Sequence, residues 1–152
     1  MNSDKQISVS IHHSDGLRFE ADVDGRKIEL NSSKVMKQAF TPMELFLVSL
    51  AGCTAMDVQW IMDRQRQKVD KFSMTIVGGR RDEDPRSYES IEIRYALAGP
   101  NLRKDAVERA IRLSQEKYCS VRAMVKDSVK LTITYTIATQ AQHETLYTYG
   151  EL

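Results

Sequence analysis

Hydrophobic positions along this chain change their spacing several times, and each change marks an element. Ile7, Val9 and Ile11 alternate with polar neighbours, Ser14-Asp15-Gly16 supplies a turn, and Leu17, Phe19, Ala21 and Val23 alternate again, which predicts a β-hairpin. Asp24-Gly25 is a second turn signal before Ile28 and Leu30, so the N-terminal third reads as a three-stranded meander. Residues 31–40 have no period and read as a loop. From Thr41 to Met62 the pattern becomes that of a long helix. Thr41 suits the N-cap, Pro42 the first helical position, and Glu44 the capping-box carboxylate that reaches back. Between Leu45 and Ala51 only Ser49 is polar, which predicts first turns wrapped by protein on all sides. That apolar run is shorter than the roughly 18–20 residues of a bilayer span, and Asp57, Gln59, Asp63 and Arg64 follow it, so the helix reads as a core helix rather than a membrane one.

Phe72, Met74 and Ile76 alternate next, Gly78-Gly79 interrupts them, and a polar loop follows in which Arg80, Arg81 and Arg86 interleave with Asp82, Glu83 and Asp84 as a solvated tip. Ile91, Ile93, Tyr95 and Leu97 then share one face of a strand. Gly99-Pro100-Asn101 ends it and opens a second helix, Leu102 to about Tyr118, whose apolar stripe of Leu102, Ala106, Ala110 and Leu113 is widened by Val107 and Ile111. Val121, Met124 and Val125 suggest one further helical turn with Cys119 near its amino end, where the dipole favours a thiolate. Val129, Leu131, Ile133, Tyr135 and Ile137 make a last strand, and periodicity is weak beyond Ala138. The order β-β-β-α-β-β-α-β predicts an α+β fold of antiparallel sheets around a long buried helix, with a single domain over residues 1–137 and a C-terminal tail over 138–152 that is either disordered or lies on an edge or a partner subunit. A sheet covers only one side of a helix that is apolar all round, which points to a homodimer.

Composition narrows the function. The 152 residues suit one domain, and 22 basic against 21 acidic side chains leave a net charge of +1, with no large field to attract nucleic acid or an anionic membrane. The start MNSDKQISVS lacks an apolar signal core, so a cytoplasmic location is expected. There, the two cysteines, Cys53 and Cys119, read as free buried thiols or as a redox pair rather than a structural disulfide. His12, His13 and His143 show no ligand spacing with either, so no metal site is expected. Ser49, Cys53 and Asp57 share one face of the long helix through their i, i+4 spacing.

The segment TPMELFLVSLAGCTAMDV, followed much later by KYCSVRAMV ahead of a final strand, resembles the OsmC/Ohr family of small thiol peroxidases, in particular its OsmC-like branch, over about Val9 to Ile137. The resemblance implies an OsmC-like intertwined dimer with the long helices between swapped sheets. It also implies that Cys53 is the peroxidatic thiol and Cys119 the resolving one, acting on a hydrophobic organic hydroperoxide in oxidative-stress defence. No cofactor is implied, only an external thiol or dithiol reductant. Leu50, Met56, Val58 and Trp60 are the expected apolar wall for an alkyl or aryl substrate.

Two departures bear on that activity. Peroxidases of the family carry a glutamate directly after the helix-starting proline, paired with an arginine; Met43 stands there, and the carboxylate is displaced to Glu44. A one-residue shift turns a side chain by roughly 100°, and Glu44 lies about 13 Å along its own helix from Cys53, so it would reach the thiol only from a partner chain. The capping box is its other use. Arg18 and Arg26 are candidate arginines from the N-terminal strands, whereas Arg122 reads as solvent-facing. The supporting candidates are therefore Glu44 and Arg18. Beside the enzyme stand two further readings: an OsmC-like dimer that binds an apolar small molecule without turnover, and a homodimer whose cysteines only pack.

Overall fold

In the computed structural model, which describes residues 6–32, 39–139 and 142–151, the Asp24-Gly25 dipeptide acts as its chemistry predicts. Val23 pairs with Arg26, and the two residues between them take φ of 51° and 79°, the left-handed conformations of a two-residue type I′ hairpin loop. This loop joins β2 (Arg18–Val23) to β3 (Arg26–Asn31), and β1 (Ser10–Asp15) pairs antiparallel with β2 on the other side. The meander belongs to a first compact unit that ends at Phe46. Its last residues hold the predicted capping box: the Thr41 N–H and hydroxyl donate to Glu44 Oε2 at 2.8 and 2.9 Å, and the Glu44 N–H donates to Thr41 Oγ1 at 3.2 Å. Phe40 bridges to Leu30; the loop expected over 31–40 falls largely on residues 33–38, outside the described residues.

The second unit, from Leu47 onward, is built on a four-stranded sheet in the order β4-β5-β6-β7, where β4 is Lys71–Arg80, β5 Tyr88–Ala98, β6 Lys130–Thr139 and β7 Gln142–Glu151. The α+β class holds and most pairings are antiparallel. The exception is β5 with β6, which run parallel because α2 (Lys104–Leu113) carries the chain back between them. Their register sets Ile91 beside Leu131, Ile93 beside Ile133, Tyr95 beside Tyr135 and Leu97 beside Ile137, and all eight are buried. Val107, Ala110 and Ile111 of α2 and Leu50, Val58, Ile61 and Met62 of α1 (Pro42–Arg64) complete this core.

Two sequence expectations change, and a third is left open within a single chain. The residues read as a tail contain β7, which pairs with β6 and stacks Tyr147 on Tyr135 with ring centroids 5.0 Å apart. The second helix stops being α-helical at Leu113, and Ser114–Tyr118 forms a π-helical turn followed by a short α3 (Ser120–Ala123). The early turns of α1 are not enclosed within the chain, since Val48 is 54% exposed and Ser49 is exposed as well. Among the described residues, α1 is the one helix long and apolar enough to cross a membrane. Its buried Thr54, hydrogen-bonded to Tyr95 and Ser114, and Gln65 directly after its last residue, which donates to the Ala106 carbonyl, instead make it the core helix of the second unit.

Candidate functional site

The site begins with helix arithmetic. One turn of α1 separates Cys53 from Asp57, which puts both side chains on the same face. The π-helical turn brings in the third group. Its extra residue closes a bond from the Cys119 N–H to the Ser114 carbonyl at 2.9 Å, and Cys119 then leaves the helix with extended backbone, φ −70° and ψ 102°. The two sulfurs and a carboxylate oxygen of Asp57 all lie within 4.8 Å of one another. Both cysteines are unpaired thiols; Cys53 is half-buried, whereas Cys119 is only 4% exposed. Cys119 also caps α3, its Sγ accepting the Arg122 N–H at 3.3 Å.

A buried polar chain supports the carboxylate. Ser114 Oγ donates to Asp57 Oδ2 at 3.1 Å. With that proton committed, Ser114 must accept from Thr54 at 2.8 Å, and Thr54 in turn accepts from the Tyr95 hydroxyl at 2.7 Å. Gln115 Nε2 donates to Thr54 Oγ1 and to the Tyr95 oxygen at 2.9 and 3.0 Å. The hydroxyl protons therefore all point towards Asp57. Ser114 and Gln115 are consecutive yet both face inward, because a π-helical turn holds more residues than an α-turn and so rotates consecutive side chains apart by less.

Burial sets the ionisation of these groups. It raises the Asp57 carboxyl above the usual carboxylate range, partly opposed by the Ser114 hydrogen bond. It also pushes Cys119 up to about 12, reinforced by the hydrogen bond to the Cys53 sulfur and opposed by the Arg122 N–H. The expectation that a helix dipole makes Cys119 a thiolate is thus corrected. The helix it caps is four residues long, and desolvation outweighs so short a dipole. Tyr95 is likewise pushed up to about 12 by burial.

Residues 34–134 match the family model described as OsmC-like protein. The chain belongs to the OsmC-like family. Protein YhfA of Escherichia coli K12 is 36% identical over 124 residues, which cover 81% of this chain and 92% of YhfA. Among solved OsmC-like folds, a hypothetical protein from Aquifex aeolicus VF5 is 34% identical, with a TM-score of 0.80 over 89% of this chain and 98% of its own. The organic hydroperoxide resistance protein OsmC of Legionella pneumophila shares the fold at 12% identity, with a TM-score of 0.63 over 88% and 97% of the two chains.

Within this OsmC-like chain, Cys53 and Cys119 meet across 66 residues of sequence, the difference between 119 and 53. Glu44 is engaged in the capping box, and its hydrogen bonds from Thr41 hold its carboxyl below the ordinary range. Arg18 is engaged inside the meander by Asp15 at 2.9 Å and Glu29 at 3.4 Å, and Arg26 by Asp24 at 3.7 Å. Arg122 does not simply face solvent, because its Nε is buried and has no hydrogen-bond partner among the described residues. The expected apolar wall also divides: Leu50 and Val58 are wholly buried core residues, whereas Met56 and Trp60 stand outside, 70% and 49% exposed. Trp60 meets the edge of Tyr118 at 5.8 Å, one residue before Cys119. Asp57 was accessible to helix spacing as a neighbour of Cys53. Thr54, Ser114, Gln115 and Tyr95 gave no sequence signal of a polar chain, since Tyr95 reads as one apolar position in a strand, Thr54 is one polar residue of α1, and Ser114 and Gln115 depend on the π-helical turn. Among the described residues, the same turn brings Asp57 and both sulfurs together as a converging donor group that the spacing of the histidines does not reveal.

Proposed function

We propose that this protein is a cysteine-dependent organic hydroperoxide reductase acting as a homodimer. The observation that carries the reading is the pairing of a half-exposed thiol with a buried one within 4.8 Å. The OsmC-like family and the name of its Legionella relative support it. In this reading the Cys53 thiolate attacks the peroxide, an S–O bond forms and the O–O bond breaks. The departing alkoxide takes the proton of Cys119 and leaves as the alcohol. Cys119, now a thiolate, attacks the Cys53 sulfenic acid, an S–S bond replaces the S–O bond, and the hydroxide leaves as water by taking up the proton that the Cys53 thiol released to solvent on ionising. The balance is one hydroperoxide and two thiols giving alcohol, water and a disulfide, which an external thiol or dithiol reduces in turn. A thiol held protonated at neutral pH suits Cys119 for the proton-donor step. A sulfur separation within 4.8 Å favours that step. A reducing, cytoplasmic setting is part of the proposal.

One observation favours a second reading, a dimer that binds an apolar small molecule without turnover. Met43 occupies the family glutamate's place, and Glu44 is tied to Thr41. The meander unit also carries an apolar cavity of ≈ 280 Å³ lined by Ile11, Leu17, Phe19, Leu30 and Pro42 among others. Thiol titration before and after one equivalent of cumene hydroperoxide decides. The enzyme reading expects both thiols to disappear, and Cys53→Ser to abolish the loss; two surviving thiols would overturn it, and a ligand retained in native mass spectrometry would establish the second.

A further inference from the structure

The three groups that converge at the π-helical turn are a donor set as well as a thiol pair. We propose that Cys53, Asp57 and Cys119 form a binding site for a thiophilic divalent cation, with Zn²⁺ the best match, open at a fourth position. The composition fits: two sulfurs and one carboxylate oxygen are ligands that zinc accepts, and three protein ligands with a vacant fourth position are the arrangement of an open rather than a closed zinc site.

The distances fit as well. Zn–S bonds of about 2.3 Å and Zn–O bonds of about 2.1 Å at tetrahedral angles place donor atoms about 3.5–3.8 Å apart. The three donors already lie within 4.8 Å, so closing on an ion needs shifts of about 1 Å or less. Two of the three are also oriented from outside. Ser114 holds one oxygen of Asp57, and the Arg122 N–H points at the Cys119 sulfur. Supporting hydrogen bonds of this kind fix the direction of metal ligands and tune their basicity. Behind Ser114 stands the buried Thr54–Tyr95–Gln115 cluster, so the carboxylate is anchored in the core rather than carried on a mobile loop.

Binding replaces the two thiol protons by the cation, and two thiolates with one carboxylate around Zn²⁺ leave one net negative charge on the site. The consequence is a choice between two states of the same sulfurs. A disulfide holds them at about 2.05 Å, too close to serve as separate ligands. A bound cation therefore excludes the disulfide, and oxidation expels the cation. This holds whether or not the peroxidase reading does, because it concerns the reduced protein before any peroxide is added.

The test is metal uptake by the reduced full-length chain. Zn²⁺ is titrated against a chromophoric chelator, and Co²⁺ is used as an optical substitute. One equivalent per chain is expected, with a thiolate-to-cobalt charge-transfer band. Cys53→Ser and Cys119→Ser should each reduce affinity at least about 100-fold, and Asp57→Asn about 10- to 100-fold. Asp57→Glu, which retains a carboxylate, should recover part of the loss. Disulfide formation before the titration should abolish uptake. Far-UV circular dichroism of each variant separates lost binding from lost folding. Substoichiometric uptake at micromolar free Zn²⁺ would overturn the site, as would an Asp57→Asn protein that folds and binds as tightly as the parent. Because no hydroperoxide is present, either failure leaves the thiol-loss experiment untouched.

Discussion

Cys119 is held as a thiol by its surroundings, and alkaline pH reports on that directly. Its ordinary value is 9.0 and its value in the fold is about 12. Between the two, an unfolded chain gives up the proton that the native chain keeps, so unfolding is favoured as pH rises. The stabilising contribution is complete below about 9 and is lost progressively towards about 12, at about 1.4 kcal/mol per pH unit for one group. Tyr95 moves in the same direction, from 10.0 to about 12, and adds to the loss once its own ordinary value is passed. Urea unfolding of the reduced protein should show stability falling above pH 9, with a shallower fall for Cys119→Ala in the interval before Tyr95 contributes. Equal slopes would show that Cys119 ionises normally. At this scale the sequence exposes Cys53 and Asp57, because i, i+4 spacing on a helix is a local property. It does not expose the proton order from Tyr95 through Thr54 and Ser114, which exists only once elements 41 and 60 residues apart have packed.

Elements follow the sequence where their causes are local. The cap of α1 is such a case, and Thr41→Ala, which removes the hydroxyl bonded to Glu44, should cost about 1 kcal/mol of stability while leaving the rate of thiol loss unchanged. A changed rate would mean that this end of the helix acts in the chemistry. The Gly99 position depends instead on tertiary approach: a Cβ there would strike the Lys68 carbonyl oxygen, which is backbone and cannot swing aside. Gly99→Ala should therefore cost about 1–3 kcal/mol, measured by thermal or urea unfolding. Strand alternation reveals β5 and β6 as elements, but period two is the same for parallel and antiparallel neighbours, so their parallel pairing is invisible in it. The strand β7 was missed for another reason. Glu144, Thr145 and Leu146 on this edge strand are exposed, and a strand with little buried surface has little pattern to show. The π-helical turn was missed because its residues, SQEKY, read as the polar continuation of α2.

Apolar surface left open on each unit raises the question of what covers it. Every residue of β1 is exposed, Leu17 is 67% exposed, and Ile11 is 52% exposed in a meander of only three strands. Sheets of that size need a covered hydrophobic face to be stable. In the second unit Val48, Met56 and Trp60 stand open on α1, although the same helix buries Leu50, Val58, Ile61 and Met62 on its other side. The sequence indicated a helix too apolar for one sheet to cover, and the exposures now identify which side is left over. In the proposed homodimer a second copy of the chain would supply an apolar partner of matching symmetry, provided that the interface exceeds the roughly 1,000 Å² of a specific association. Light scattering coupled to size exclusion should give a dimer for the parent protein. A charge at the most exposed of these helix positions, Met56→Glu, should shift it towards monomer, because an unpaired carboxylate buried at an interface costs more than the lost methionine contact. Leu17→Glu should do the same from the meander. A parent protein that is monomeric at every concentration would remove the dimer from the proposal, and a dimer indifferent to both charges would place its interface on other surfaces.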